Sequence, residues 1–397
     1  MDPPSPGGAP ARLGHRPALD GLRGLAVLAV VGHHVGALLL PPRWGPELLP
    51  AGFLGVDVFF VLSGFLITTL LLERRSEPGR VRRFYLRRAL RLLPAVTALL
   101  GIAAVVAIVA GESLTRVANT ILVVATYTTN WASLEGVSVL PELNHLWSLA
   151  VEEQFYVLWP ALLWGLLAMR VRPGALLTVA LGLALASATW RALLWERGEG
   201  ARIYFRSDTR ADALLLGAAV ALVPLARLEA LPRRARLAAA VAGLLVLAVA
   251  MLGLELQSPS LYLGGFTAVA AASAALIVLA LRPDTSLARA LAAPPLVAVG
   301  LGSYALYLWH FPIFLLARDN LGAVPWPVRA ALAVSAAALA TWASRRYVEL
   351  PALALKERLT GWPRARAAVS GSPPADAGAS SAGAAGRAGS AQGPPAS

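Results

Sequence analysis

The sequence predicts an all-α polytopic membrane protein of about ten transmembrane helices with both termini in the cytoplasm, and three observations carry that expectation. The 397 residues are 57% hydrophobic and only 14% charged, with a mean hydropathy of +0.64, far more apolar than a soluble globular domain. Apolar stretches long enough to cross a bilayer, about 17 to 25 residues, recur along the chain. The arginines gather between those stretches, mostly in alternate connections, as the positive-inside rule requires of cytoplasmic loops.

The expected spans are 22–40, 52–72, 92–110, 146–169, 174–195, 210–227, 237–254, 261–281, 296–316 and 327–344. Residues 1–16 are rich in Pro and Gly and read as a disordered lead-in. The first apolar run lacks a convincing small-residue cleavage site, so it reads as an uncleaved helix. Between the third and fourth spans, ILVVATYTTNW (121–131) is apolar, but a complete extra crossing would reverse every later loop, so a re-entrant element is expected there. Residues 17–357 then form one transmembrane domain. From 358 to 397 the composition turns to Ala, Gly, Ser and Pro, which cannot bury enough apolar surface to offset chain entropy, and a disordered tail is expected.

Composition also excludes whole classes of chemistry. With no cysteine, the chain has neither a disulfide framework nor a thiolate nucleophile. No close His or carboxylate spacing suggests a metal site, and no P-loop or Rossmann glycine pattern is present. The net charge of +13 reports topology and not nucleic acid, because it lies in the loops.

Within the first span, LDGLRGLAVLAVVGHHV (19–35) places Arg23 and His34 eleven residues apart. Eleven steps of roughly 100° return to within about 20° of the same helix face, about 16 Å further along. His33 falls about 80° off that face. Ionisable groups inside a span are expensive and commonly face a wet or protein-lined path. Counting about 1.5 Å per residue from the expected outer ends, His34, Asp57, Glu152, Glu153 and His310 all fall about 8–10 Å below the outer surface. Such a layer fits a catalytic cavity or a proton and substrate pathway. In a catalytic site His34 is the expected general base, because imidazole titrates near neutral pH, with Asp57 or Glu152 orienting its ring. Toward the other surface, eight arginines lie between 74 and 91. Arg83, Arg87 and Arg91 follow at i, i+4 on one face, a row suited to phosphate oxygens and also to anionic lipid heads.

These blocks together with GVDVFFVLSGFLIT (55–68), RFYLRRALRLLP (83–94), HLWSLAVEEQFYVLWP (145–160), DTRADALLLGAA (208–219), GSYALYLWHFP (302–312) and YVELP (347–351) resemble the membrane-bound acyltransferase 3 family of bacterial O-acyltransferases. The resemblance implies ten spans, a cytoplasmic acyl-CoA donor, acetyl-CoA in the first instance, and a hydroxyl acceptor that is often an extracytoplasmic sugar. It implies roles for Arg23, His34, Arg87, Arg91 and Glu152, with Arg83 assisting the arginines, and no metal or prosthetic group. Glu153, Arg210 and His310 are further candidates on the substrate side, and Ser63 and Ser148 are conceivable acyl carriers. The expected partners are the bilayer, acyl-CoA and a carbohydrate acceptor in the envelope of a bacterial cell membrane. A small secondary metabolite such as a macrolide is the alternative acceptor, and a secondary transporter is the alternative class.

Overall fold

The computed structural model describes residues 13–41, 44, 48–77 and 79–360. The expected lead-in before residue 13 and the expected tail from residue 361 lie outside the described residues. All regular elements among those described are helical. In chain order they are α1 (Pro17–Leu39), α2 (Gly55–Glu73), α3 (Arg80–Val109), α4 (Leu114–Ala125), α5 (Thr129–Leu134), α6 (Trp147–Ala168), α7 (Pro173–Glu196) and α8 (Ala211–Leu222). There follow α9 (Leu225–Glu229), α10 (Arg233–Gly253), α11 (Phe266–Ala280), α12 (Ser286–Leu291), α13 (Pro294–Leu301), α14 (Ser303–Asn320), α15 (Trp326–Ser344) and α16 (Leu350–Thr360).

Six helices are long and apolar enough to cross a membrane, and a seventh crossing arises if the bent pair α13–α14 counts as one. Expected spans four, six and ten, now α6, α8 and α15, do not reach that measure among the described residues. For α8 the reason is length, since its 12 residues rise only about 18 Å against a hydrocarbon core of about 30 Å. Expected span nine is not straight either: α13 and α14 meet at 69°. The loop expected to be re-entrant folds as α4 and α5, each too short to cross, with the chain reversing at Tyr127 (φ 53°).

The third span is longer than the apolar run alone suggests. Its helix starts at Arg80 and runs 30 residues, about 45 Å, so the arginine row stands on the same rigid rod that enters the bilayer. Pro94 sits inside it, as proline is tolerated where neighbouring helices re-satisfy the backbone.

α2 is the axis of the bundle, with 72% of its apolar window buried against 28% for α7 and for α10. Lipid-facing positions such as Val109, Leu158, Leu185 and Val249 remain exposed. Two glycine contacts set the helix spacing. A Cβ on Gly64 of α2 would stand 1.8 Å from the Leu214 carbonyl oxygen of α8, and one on Gly217 of α8 would stand 2.0 Å from that of Val61. On the other side, a Cβ on Gly300 of α13 would lie 1.7 Å from the Asp20 oxygen of α1. Small residues at such crossings let backbones approach and gain van der Waals contact in lipid. Gly64→Ala therefore forces α2 and α8 apart and should cost about 1–3 kcal/mol, read as a lower midpoint of thermal unfolding in detergent. An unchanged midpoint would show the crossing to be loose.

Buried ion pairs tie the same helices together. Arg191 of α7 and Asp212 of α8 pair at 2.8 Å, both essentially inaccessible, and Arg191 also donates to the Thr209 carbonyl and the Thr267 hydroxyl. At the surface, Asp284 in the connection after α11 accepts from the Arg236 guanidinium of α10, which holds its carboxyl below the usual carboxylate range.

Candidate functional site

Three cavities follow one another through the bundle. The first, about 530 Å³, is lined by Arg23, Arg74, Arg80, Arg83, Arg87, Arg88 and Arg91 with Ser63, Glu73, Glu77 and Tyr156. The second, about 120 Å³, is lined by Arg23, Ser63, Arg88, Arg91, Ser148, Glu152, Tyr156, Ser303, Tyr304 and Tyr307. The third, about 520 Å³, is lined by His33, His34 and His145 among Phe53, Trp147, Tyr204, Phe205, Tyr307 and Phe311, with Asn144, Glu255 and Gln257. Arg23, Ser63, Arg88, Arg91 and Tyr156 belong to both the first and second. Val56 and Tyr307 belong to both the second and third.

The arginine row behaves as its spacing requires. Arg83, Arg87 and Arg91 all face the first cavity from α3, and Arg91 keeps an exposed side chain well inside the helix bundle. Arg23 meets them there from α1. Several guanidiniums converging on one cavity favour an anion over a cation there.

The carboxylates take partners other than His34. Glu152 faces the second cavity and accepts from Ser63 Oγ at 3.0 Å and from Tyr156 OH at 3.3 Å. Glu153 takes a bidentate grip from Arg88, at 2.6–3.1 Å. Asp57 and Arg210 are both fully buried and pair at 2.5 Å. Arg210 also rests 3.8 Å from the Phe266 ring. Neither residue lines any of the three cavities. The expected orienting bond from Asp57 or Glu152 to His34 is therefore replaced by other partners. The physical reason is that depth says nothing of azimuth, and a carboxylate in a low-dielectric interior goes to the guanidinium or hydroxyls that offset its desolvation.

His34 meets His310 instead, with Nδ1 and Nε2 3.1 Å apart and ring centroids 5.1 Å apart. Its neighbour His33 lines the same cavity but turns its Nδ1 to the Leu49 carbonyl at 3.0 Å. The bend between α13 and α14 and the packing of α14 on α1 bring His310 to this place.

One functional candidate escaped the sequence reading. His145, in the turn before α6, is only 5% exposed, lines the third cavity and lies 5.7 Å from the His310 ring. The carbonyls of Glu142, Tyr307 and Leu308 are near it, yet neither ring nitrogen meets hydrogen-bond geometry. Its signal was present as the histidine that opens HLWSLAVEEQFYVLWP, just ahead of the expected fourth span and so outside the depth count. Tyr307 stands between the second and third cavities. Its hydroxyl donates to the His145 carbonyl at 2.5 Å and lies 2.5 Å from Ser148 Oγ, which gives Ser148 a helix contact.

Among the described residues no group of three His, Cys, Asp or Glu is arranged to hold a metal ion. What the arrangement offers is an anion-binding mouth, a narrow polar middle and an imidazole-lined chamber.

Comparison with known proteins identifies the family. The model of the family described as an acyltransferase domain matches residues 16–345. The chain is 35% identical over 352 residues to the peptidoglycan O-acetyltransferase OatA of Listeria monocytogenes, covering 84% of this chain and 55% of that protein. It is 32% identical over 352 residues to the O-acetyltransferase OatA of Staphylococcus aureus, covering 84% and 57%. The chain thus spans about half the length of these relatives. No solved structure matches it.

Proposed function

Because the chain belongs to the acyltransferase domain family, we propose that it is an integral membrane O-acyltransferase, moving an acetyl or similar acyl group from cytoplasmic acyl-CoA to a hydroxyl of a cell-envelope glycan. The observation that supports this reading is the run of three cavities sharing their linings, which leads from the arginine row to His34. In this reading the bundle crosses ten times with both termini in the cytoplasm, α6, α8, the bent pair and α15 completing the count within the assembled protein. The first cavity then opens to the cytoplasm and the third to the outside.

Arg87 and Arg91, with Arg83 and Arg23, hold the phosphates of CoA by charge-assisted hydrogen bonds. The pantetheine arm carries the thioester into the second cavity. The acceptor enters the third, where His34 removes the proton from its hydroxyl and the oxygen attacks the acyl carbon. Glu152, between Ser63 and Tyr156, keeps the middle of the path polar, and the thiol leaves with the proton. The Listeria monocytogenes relative is a peptidoglycan O-acetyltransferase, which makes a cell-wall glycan the first acceptor to try.

Membranes containing the protein should release CoA thiol from labelled acetyl-CoA only when an envelope glycan acceptor is present, with label appearing on the glycan. Arg91→Ala should raise the KM for acetyl-CoA by about tenfold or more, since a hydrogen bond to a charged group contributes about 1.5–3 kcal/mol. Label that crosses the membrane without thiol release would identify a transporter, and a KM unchanged in Arg91→Ala would remove the donor site from the arginine cavity.

A further inference from the structure

His34 has no carboxylate partner, yet its protonation pattern is not left open. His310 is fully buried, and its Nδ1 lies 2.9 Å from the Leu306 carbonyl oxygen and 2.8 Å from that of Tyr307. A carbonyl oxygen can only accept, so Nδ1 of His310 must carry the hydrogen. A neutral imidazole with hydrogen on Nδ1 has its lone pair on Nε2. That lone pair faces His34 Nδ1 at 3.1 Å, and two lone pairs at this distance would repel. Nδ1 of His34 therefore donates, and its own lone pair stands on Nε2.

We propose that His310 is the positioning residue for His34: a chain of backbone carbonyls, His310 and His34 that fixes His34 in the Nδ1–H tautomer and leaves its Nε2 as a basic nitrogen of the histidine cavity. His33 is fixed in the same tautomer directly by the Leu49 carbonyl, with no second imidazole behind it, and neither ring nitrogen of His145 meets hydrogen-bond geometry. The arrangement meets the general requirement that a base be oriented by a third group. Here a second imidazole fills the place usually taken by a carboxylate.

The catalytic meaning of this chain rests on the acyl-transfer reading, whereas the tautomer itself does not. In the transfer step the acceptor O–H bond breaks and its proton passes to His34 Nε2, while the oxygen forms a bond to the acyl carbon. The bond from that carbon to the thioester sulfur then breaks, and the sulfur takes the proton. Between these events the His34 imidazolium keeps its Nδ1–H bond to His310 Nε2, now strengthened by charge. His310 touches neither substrate in this scheme.

The test uses the full chain in lipid bilayers with ¹⁵N-labelled histidine, read by solid-state NMR at mildly alkaline pH, with the His34 signals identified by their loss in His34→Asn. The expected result is hydrogen on Nδ1 of His34 and none on Nε2. His310→Gln keeps an acceptor oxygen in place of the ring nitrogen and should preserve that pattern, whereas His310→Leu should give a mixture of tautomers. Hydrogen on Nε2 in the unaltered protein overturns the proposal, as does an unchanged pattern in a folded His310→Leu. In the labelled acetyl-CoA assay, His310→Leu should lower kcat by about 10²-fold with KM unchanged, and His310→Gln should recover most of it. Equal kcat in all three overturns the positioning role. Absence of any transfer by the unaltered protein would count against the acyl-transfer reading alone, with the spectra still deciding the tautomer.

Discussion

Arg210→Ala is expected to destabilise the folded protein by about 3–5 kcal/mol, because it leaves Asp57 as an unpaired charge in a fully buried place. The pair links α2 to the residue that caps α8, and the guanidinium additionally lies on the Phe266 ring. Removing both charges is a different experiment. The double variant Asp57→Leu, Arg210→Met replaces the pair with apolar groups and should recover most of the loss, since desolvation of two ions offsets much of their attraction. Thermal unfolding of the purified protein in detergent reads both. A single variant as stable as the unaltered protein would show that water reaches Asp57, and a double variant no better than Arg210→Ala would show that the pair is needed for something other than charge balance.

His34→Ala is expected to lower the rate of acyl transfer by about 10²- to 10⁴-fold, the usual contribution of a positioned general base, with thermal stability changed far less. The side chain is only half-buried and stands at the edge of a chamber of about 520 Å³, so its loss enlarges an existing space. That space also admits a replacement. Added imidazole should restore part of the turnover of His34→Ala and none of the turnover of Arg91→Ala, whose defect lies in donor binding. Transfer at the unaltered rate in His34→Ala would assign the base elsewhere, with His145 the next to test.

The divide between what could be read in advance and what could not follows the range of the interactions. Arg23 and His34, and Arg83, Arg87 and Arg91, are related by the period of a single helix, and all five line the cavities. Pairing between helices is another matter. Nothing local distinguishes a carboxylate that will meet Arg88 from one that will meet His34, and Glu153 and Asp57 were both drawn to guanidiniums that the depth count does not weigh. Arg191 is a sharper instance: it sits inside an expected span, with no sign in its neighbours that Asp212 would neutralise it. The 69° bend between α13 and α14 falls at Gly302, beside the close approach of Gly300 to α1. The overall helical class needed none of this, because hydropathy and arginine placement act over twenty residues at a time.

The smallest of the three cavities has a consequence of its own. At about 120 Å³ it is much narrower than its neighbours of about 530 and 520 Å³. In the proposed path this constriction acts as a gauge of molecular size: the nucleotide end of the donor and the bulk of the acceptor keep to the wider spaces on either side, and only the slender arm with its acyl group enters the gap.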